Sequence, residues 1–341
     1  MPVIRSSARR RFLSLVLAAS GALGLAAPAH AEGRLRIAEQ YGVVYLLLNV
    51  AQDQKLIEKH GKAQGIDIQV EFVKLSGGAA INEALLSGSI DVAGAGIGPL
   101  LTLWDRTRGR QNVKGIAALG NFPYYLVTNN PAVRTIADFT DKDRIATPAV
   151  GVSVQSRILQ LASAKAFGYD QYNKLDKLQV ALPHPEAAAA IIKGGTEVTT
   201  HFASPPFQEQ ELAANPNARV VLKSYDMLGG PSSATALYAT ERFRQENPKT
   251  YKAFVDALAE AARLIKADPE QAADIFLRVN KSGIDRKLLL QIIRSPEVEF
   301  TLTPQNTYAL AEFMHRVGAI KHRPASAREY FFDDPHNAAG S

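Results

Sequence analysis

Two stretches of this chain, LSGGAAINEALL (residues 75–86) and TPAVGVSVQSRIL (147–159), set serine and glycine just ahead of a helical pattern. Ser76 stands where it would cap the first helix, leaving the amides of Gly77, Gly78 and Ala79 without partners. Val152, Ser153 and Val154, within residues 151–155, occupy the matching place in the second stretch. Free amides at the positive end of a helix accept a carboxylate, a sulfonate or nitrate without a buried lysine. An ordinary capped helix is the competing reading of each loop. Arg157, one to two turns into the second helix, would assist an anion there, although a solvated arginine is the simpler account.

Bond-making chemistry finds little support. The chain has no cysteine, no His-Glu-x-x-His zinc helix and no Gly-x-Ser-x-Gly elbow. His60, His184, His201, His315, His322 and His336 are scattered, with no pair at metal-ligand spacing, so no catalytic residue, metal or cofactor is expected. GAGIG (94–98) lacks the spacing of a dinucleotide loop. Gly96, Ile97 and Gly98 read better as small residues that let a ligand approach the backbone at a strand end. His201 and Phe202 end a strand and are expected to reach the same place. Tyr41, after the first strand, and Tyr124 within NFPYY (121–125) would bury the organic part of a small ligand, with core packing as the competing reading.

The elements that must position these residues alternate. LRIAEQYG reads as a strand, 44–60 as a helix, DIQVEFVKL as a strand and AAINEALLSG as a short helix. That helix has Ile81, Leu85 and Leu86 on one face and a stop at Gly88. IDVAGAG is a third strand, and Pro99 opens the helix after it. A second such unit follows: DRIATPAV, SVQSRILQLASAKAFG, KLQVAL, PEAAAAIIKGG and TEVTTHFAS. Gly88, Asp91, Val92 and Pro99 are echoed 106 residues later by Gly194, Glu197, Val198 and Pro205. Repeated strand–helix units imply mostly parallel, doubly wound sheets, and two similar units imply two lobes. Their strand ends face a common crevice. Hinges are expected near 122–128 and 222–236. Beyond Pro248 four helical patterns follow, three opened by proline, and are expected to wrap one lobe. The polar tail after Gly318 is expected to lie on the surface or fray.

Residues 1–31 have a basic start, an apolar run (FLSLVLAASGALGLAA) and AHA before Glu32, the layout of a secretory signal. The arginines at 9–11 suit either a Sec or a twin-arginine signal. The run is short for a membrane span. The formal charge of +6 loses the four arginines of this segment, which holds no acid, leaving +2 spread among acids. No nucleic-acid surface is expected. Without cysteine, a chain of this length is held by its hydrophobic core. A monomer in the periplasm of a Gram-negative cell is expected.

These motifs, from LRIAEQYG through VKLSGGAAINEALLSGSIDVAGAGIGPLL and IATPAVGVSVQSRILQLASAKAFGYD to GTEVTTHFASPPF, resemble the periplasmic solute-binding proteins of ABC importers. The branch is the one handling nitrate, sulfonates, taurine and thiamine precursors. The resemblance implies a two-lobed α/β fold (type II), with lobes 33–123 plus 232–341 and 124–231. It implies hinge closure on a small organic anion and delivery to an ABC permease. Carried over by position, the binding loops fall at Tyr41–Gly42, Ser76–Gly78, Gly96–Gly98, Val152–Val154 and His201–Phe202. Relatives often carry tryptophan near the first or third strand, whereas Trp104, the only one here, lies on a helix. The alternative is an enzyme on the same fold in thiamine-pyrimidine precursor metabolism, although its cysteine-rich motif is absent.

Overall fold

Alternating apolar residues in RLRIAE bury Leu35 and Ile37 and make β1 (Arg34–Glu39), the start of a computed structural model that describes residues 32–341. The signal expected over 1–31 lies outside the described residues. A 3-10 turn (Val43–Tyr45), α1 (Leu46–Asp53) and α2 (Leu56–Ala63) follow, then β2 (Gln69–Lys74), α3 (Gly78–Leu86), β3 (Val92–Gly96), α4 (Ile97–Thr107) and β4 (Lys114–Ala118). The chain crosses to a second sheet with β5 (Tyr125–Thr128), β6 (Ile145–Thr147), α5 (Val154–Phe167), β7 (Gln179–Ala181) and α6 (His184–Lys193). That sheet is completed by β8 (Thr200–Ala203), α7 (Phe207–Ala214) and β9 (Arg219–Lys223). It returns through α8 (Ser224–Leu228) to β10 (Thr235–Ala239), after which comes α9 (Glu241–Glu246).

The first sheet has the order β2-β1-β3-β10-β4 and the second β7-β6-β8-β5-β9. Each is parallel in its first three strands, and each takes in one antiparallel strand, β10 or β5, that arrives from the other half. Strand by strand the orders correspond. The echoed phrase therefore falls on β3 and β8, the middle strand of each sheet, and its glycines Gly88 and Gly194 both end helices at positive φ (73° and 65°). This is a two-lobed α/β fold.

The two crossings, residues 119–124 and 224–234, are tied to each other. The Tyr124 and Thr235 hydroxyls lie 2.6 Å apart, the Tyr124 N–H donates to Ser224 Oγ (2.9 Å), and Ser233 Oγ donates to Asn121 Oδ1 (2.8 Å).

Several expectations need correcting. The helix expected over 44–60 is broken, because Lys55 takes a left-handed conformation (φ 50°). The break lets both halves keep apolar faces against α10 (Pro248–Ala267). Leu86 is exposed, since the helical period stacks Ile81 under Leu85 and turns Leu86 away. Ser76 caps nothing: α3 starts one residue later, with Gly77 as its cap. Pro248 and Pro269 open α10 and α11 (Pro269–Asn280), which with α12 (Arg286–Ile293) follow β10. Pro304 opens no helix; α13 begins only at Tyr308, and the Pro304 carbonyl accepts the Ser341 N–H instead.

The tail does not fray either. Tyr330, Phe331 and Phe332 are buried, Tyr330 edge-on to Trp104, and backbone bonds join the tail to Gly115 at the edge of the first sheet. Aromatic residues sparse enough to read as polar sequence supply three core side chains.

Candidate functional site

The strand ends and helix starts of both sheets enclose one cavity. It is lined by Gln40, Tyr41, Val44, Tyr45, Gly78, Gly96, Pro99 and Thr235 from the first sheet's elements, and by Ser153, Val154, Gln155, His184 and Ser204 from the second's. Tyr124, on a crossing, completes the wall. The cavity volume is about 20 Å³. That is room for about one water, so the halves are drawn tightly together.

What permits the approach is a seam of glycines. A Cβ on Gly42 would lie 2.7 Å from the Pro205 carbonyl oxygen, and one on Gly77 would lie 2.6 Å from that of Pro148. One on Gly98 would lie 2.9 Å from the Val152 oxygen, and one on Gly96 would lie 2.9 Å from the Val154 side chain. Each pair joins one half to the other. The Val43 N–H adds a direct bond across, to Pro205 oxygen (3.0 Å).

Four helices begin at the cavity. Gly78 and His184 are the first residues of α3 and α6, Gly96 precedes α4, and Ser153 and Val154 open α5. No side chain caps α3, α4 or α6. At α5 the Ser153 hydroxyl accepts from the Ser156 N–H (3.3 Å), so that terminus is partly satisfied, and the free amides are those of Val154 and Gln155. Among the described residues that line it, none is Asp, Glu, Lys or Arg. Burial pushes the phenols of Tyr45 and Tyr124 up, keeping both neutral donors. Tyr45 already donates to the Gly94 carbonyl (3.1 Å), whereas the buried Ser204 hydroxyl has no protein partner.

Of the residues expected at the site, Tyr41, Gly78, Gly96, Tyr124, Ser153 and Val154 meet on the cavity wall. Gly42, Gly77 and Gly98 lie on the seam, where their lack of a side chain serves the opposite backbone. Val152 contributes its carbonyl there. Ile97 is buried and donates its N–H to the Ala234 carbonyl (2.9 Å), and Ser76 is exposed. Phe202 is fully buried in the hydrophobic core, and His201 is fully buried behind His184. Strand alternation sends these two side chains to opposite faces of β8, and neither lines the cavity. Arg157 sits half-buried at the seam beside Gly98, its Nη1 bonded to Gln160 (3.0 Å) and its Nε without a partner.

Sequence reasoning missed Gln40, Tyr45, His184 and Ser204, and held Gln155 only as part of the 151–155 loop. For His184 a signal existed. It follows β7 as Gly78 follows β2, and these are matching strands of the two sheets. His184 also heads a buried chain: its Nδ1 lies 2.7 Å from His201 Nε2, and His201 Nδ1 lies 2.5 Å from Glu211 Oε1. The His184 ring stacks on Phe207, with centroids 5.4 Å apart.

A model of the NMT1-like family matches residues 43–279. A Brucella abortus protein named as a candidate binding protein is 24% identical over 340 residues, covering 96% of this chain and 98% of its own. Among solved structures, the alkanesulfonate-binding protein of Xanthomonas axonopodis pv. citri, bound to MOPS, superposes with a TM-score of 0.67. It is 21% identical, with 88% of this chain and 98% of that one covered. The periplasmic nitrate-binding protein of Synechocystis PCC 6803 also gives a TM-score of 0.67, at 15% identity over 88% of this chain and 84% of its own.

Proposed function

Because this chain belongs to the NMT1-like family, we propose that it is the substrate-binding component of an ABC importer, exported to the periplasm. It captures a small organic anion, a sulfonate or carboxylate with an aromatic or aliphatic body, and delivers it to a membrane permease. The lobes are 33–123 with 232–341, and 124–231; they close about the crossings at 119–124 and 224–234. The alkanesulfonate and nitrate ligands named for the structural neighbours support an anion.

One observation carries the reading: a cavity walled from both halves is ringed by four helix starts and bears no carboxylate. Each helix terminus favours a negative charge by about 0.3–1 kcal/mol, and by up to about 2 where partly buried. The aromatic faces of Tyr41 and Tyr124 flank the organic body. A ligand larger than one water requires the halves to part and close again, so it stabilises the closed form by touching both.

The test is a thermal-shift screen of the mature protein against sulfonates, carboxylates, nitrate and neutral pyrimidines. A ligand at a hundred times its dissociation constant adds about 2.7 kcal/mol of stability. A melting shift with an anion, together with a smaller scattering radius on its addition, is expected, and Tyr41→Ala should weaken both. No shift with any anion overturns the anion reading. Steady chemical conversion of the bound compound, read by mass spectrometry, would favour the enzymatic alternative.

A further inference from the structure

We infer that His184 presents an N–H donor to the ligand cavity, fixed in that orientation by the buried chain through His201 to Glu211. We further infer that anion binding takes up one proton wherever this chain has lost one. The inference rests on the anion-receptor reading and deepens it, naming the side chain whose protonation the anion reads.

The geometry allows two polarities. In one, Glu211 is a carboxylate accepting from His201 Nδ1–H, His201 Nε2 accepts from His184 Nδ1–H, and His184 Nε2 faces outward as a bare lone pair. The ring nitrogens then hold two protons and the chain carries a charge of −1. In the other, the Glu211 hydroxyl donates to His201 Nδ1, His201 Nε2–H donates to His184 Nδ1, and His184 Nε2–H points outward. That form holds three protons and is neutral. One proton from solvent converts the first into the second and turns an acceptor at the cavity into a donor.

Burial decides between them. His201 and Glu211 are fully buried, and Glu211 Oε2 has no hydrogen-bond partner, so the two-proton form would strand a carboxylate charge in the core of the second lobe. Desolvation pushes the Glu211 carboxyl well up and holds His201 down to about 3; desolvation, then His201, hold His184 low as well. All three shifts favour uncharged groups.

The surroundings supply no other ion to take the role. From α5, the Gln155 amide nitrogen lies 3.2 Å from His184 Nε2, where it would donate to the bare nitrogen of the first polarity; the second polarity requires that amide to be turned so that its oxygen faces the Nε2–H. From α7, Glu211 reaches His184 through His201, and Glu209 bonds Gln208 (2.9 Å). β8 supplies His201, and the cavity side supplies the phenols of Tyr41, Tyr45 and Tyr124, the last two held neutral by burial. Glu186 is the acid on α6 itself. With no lysine or arginine among the described lining residues, His184 is the titratable donor whose polarity an anion can read.

The experiment uses the mature chain labelled with ¹⁵N-histidine. Ring-nitrogen shifts of the ligand-free protein at pH 6, assigned by difference against His184→Gln, are expected to report a protonated Nε2 and a bare Nδ1 at His184. A bare Nε2 overturns the inference, whether or not any ligand is known. Calorimetry with ethanesulfonate and propanoate in two buffers of different ionisation enthalpy, from pH 6 to 9, then counts protons. Uptake is expected to rise towards one per ligand with increasing pH, with affinity falling up to tenfold per pH unit. Any residual binding by Glu211→Gln should take up none, whereas Glu209→Gln should behave as the parent does. Tight binding with zero uptake throughout overturns the coupling while leaving the receptor reading intact. Failure of every anion to bind, with the Nε2 proton in place, sinks the anion reading alone.

Discussion

Replacing Gly98 by alanine should separate the closing of the lobes from the stability of either. Gly98 is the second residue of α4 and has no positive φ, so alanine is conformationally free there. Its Cβ would stand 2.9 Å from the Val152 carbonyl oxygen, 3.2 Å from Arg157 Cγ and 3.5 Å from Val154 Cα, all on the opposite half. An ordinary carbon–oxygen contact is about 3.3–3.6 Å, so the seam must widen by about 0.4–0.7 Å. Overpacking of this kind costs about 1–3 kcal/mol.

Because the clash exists only when the halves meet, that cost falls on the closed form and appears as a dissociation constant raised about 5- to 150-fold. The open lobe feels the opposite. Alanine is favoured over glycine within a helix by up to about 1 kcal/mol, so the ligand-free melting temperature should hold or rise. Calorimetric titration and thermal melts of the same sample read both quantities. A dissociation constant unchanged within about twofold would mean that the ligand-bound halves never close this far. A lower ligand-free melting temperature would mean that the seam belongs to the resting fold and that no opening precedes binding.

Two further outcomes follow from burial. Phe331→Ala removes a ring packed on Gly115, a cost of about 3–5 kcal/mol, and should lower the melting temperature by roughly 5–15 °C without changing ligand affinity well below it. Burial also lifts the Glu209 carboxyl to about 7 from an ordinary value near 4.3. An acid held protonated in the folded state loses stability as pH climbs through that window, by up to about 1.4 kcal/mol per pH unit. Glu209→Gln should therefore raise melting temperatures at pH 8 while leaving them nearly unchanged at pH 4; a uniform shift at both would refute the account.

The succession of strands and helices along the chain was legible in the sequence, though not the order of strands within each sheet, because backbone periodicity and glycine stops are local. β1 to β3 and β6 to β8 each declare themselves over a few residues, and the 106-residue echo pairs β3 with β8. The tail was not legible. Whether Tyr330–Phe332 fray or pack depends on an exposed strand edge at Gly115, more than two hundred residues away, which no local pattern announces. Among the site residues the backbone was again the readable part. Gly78, Gly96 and Ser153 could be placed from strand ends and helix starts alone. Phe202 could not, because whether a strand's side chain faces the crevice or the core turns on a single residue of register.

His184 shows where the limit lies and how it can be pushed back. Its position follows from applying the repeat one strand earlier, since α6 begins after β7 as α3 begins after β2. The first copy puts glycine there and offers only backbone; the second puts a histidine whose ring reaches the cavity. Equivalent positions thus carry different chemistry: the start of α3 offers backbone alone, whereas the start of α6 adds a side chain joined through His201 to Glu211. In the receptor reading proposed above, a ligand that needs both must touch both, and that requirement, more than the fold, would tie recognition to closure.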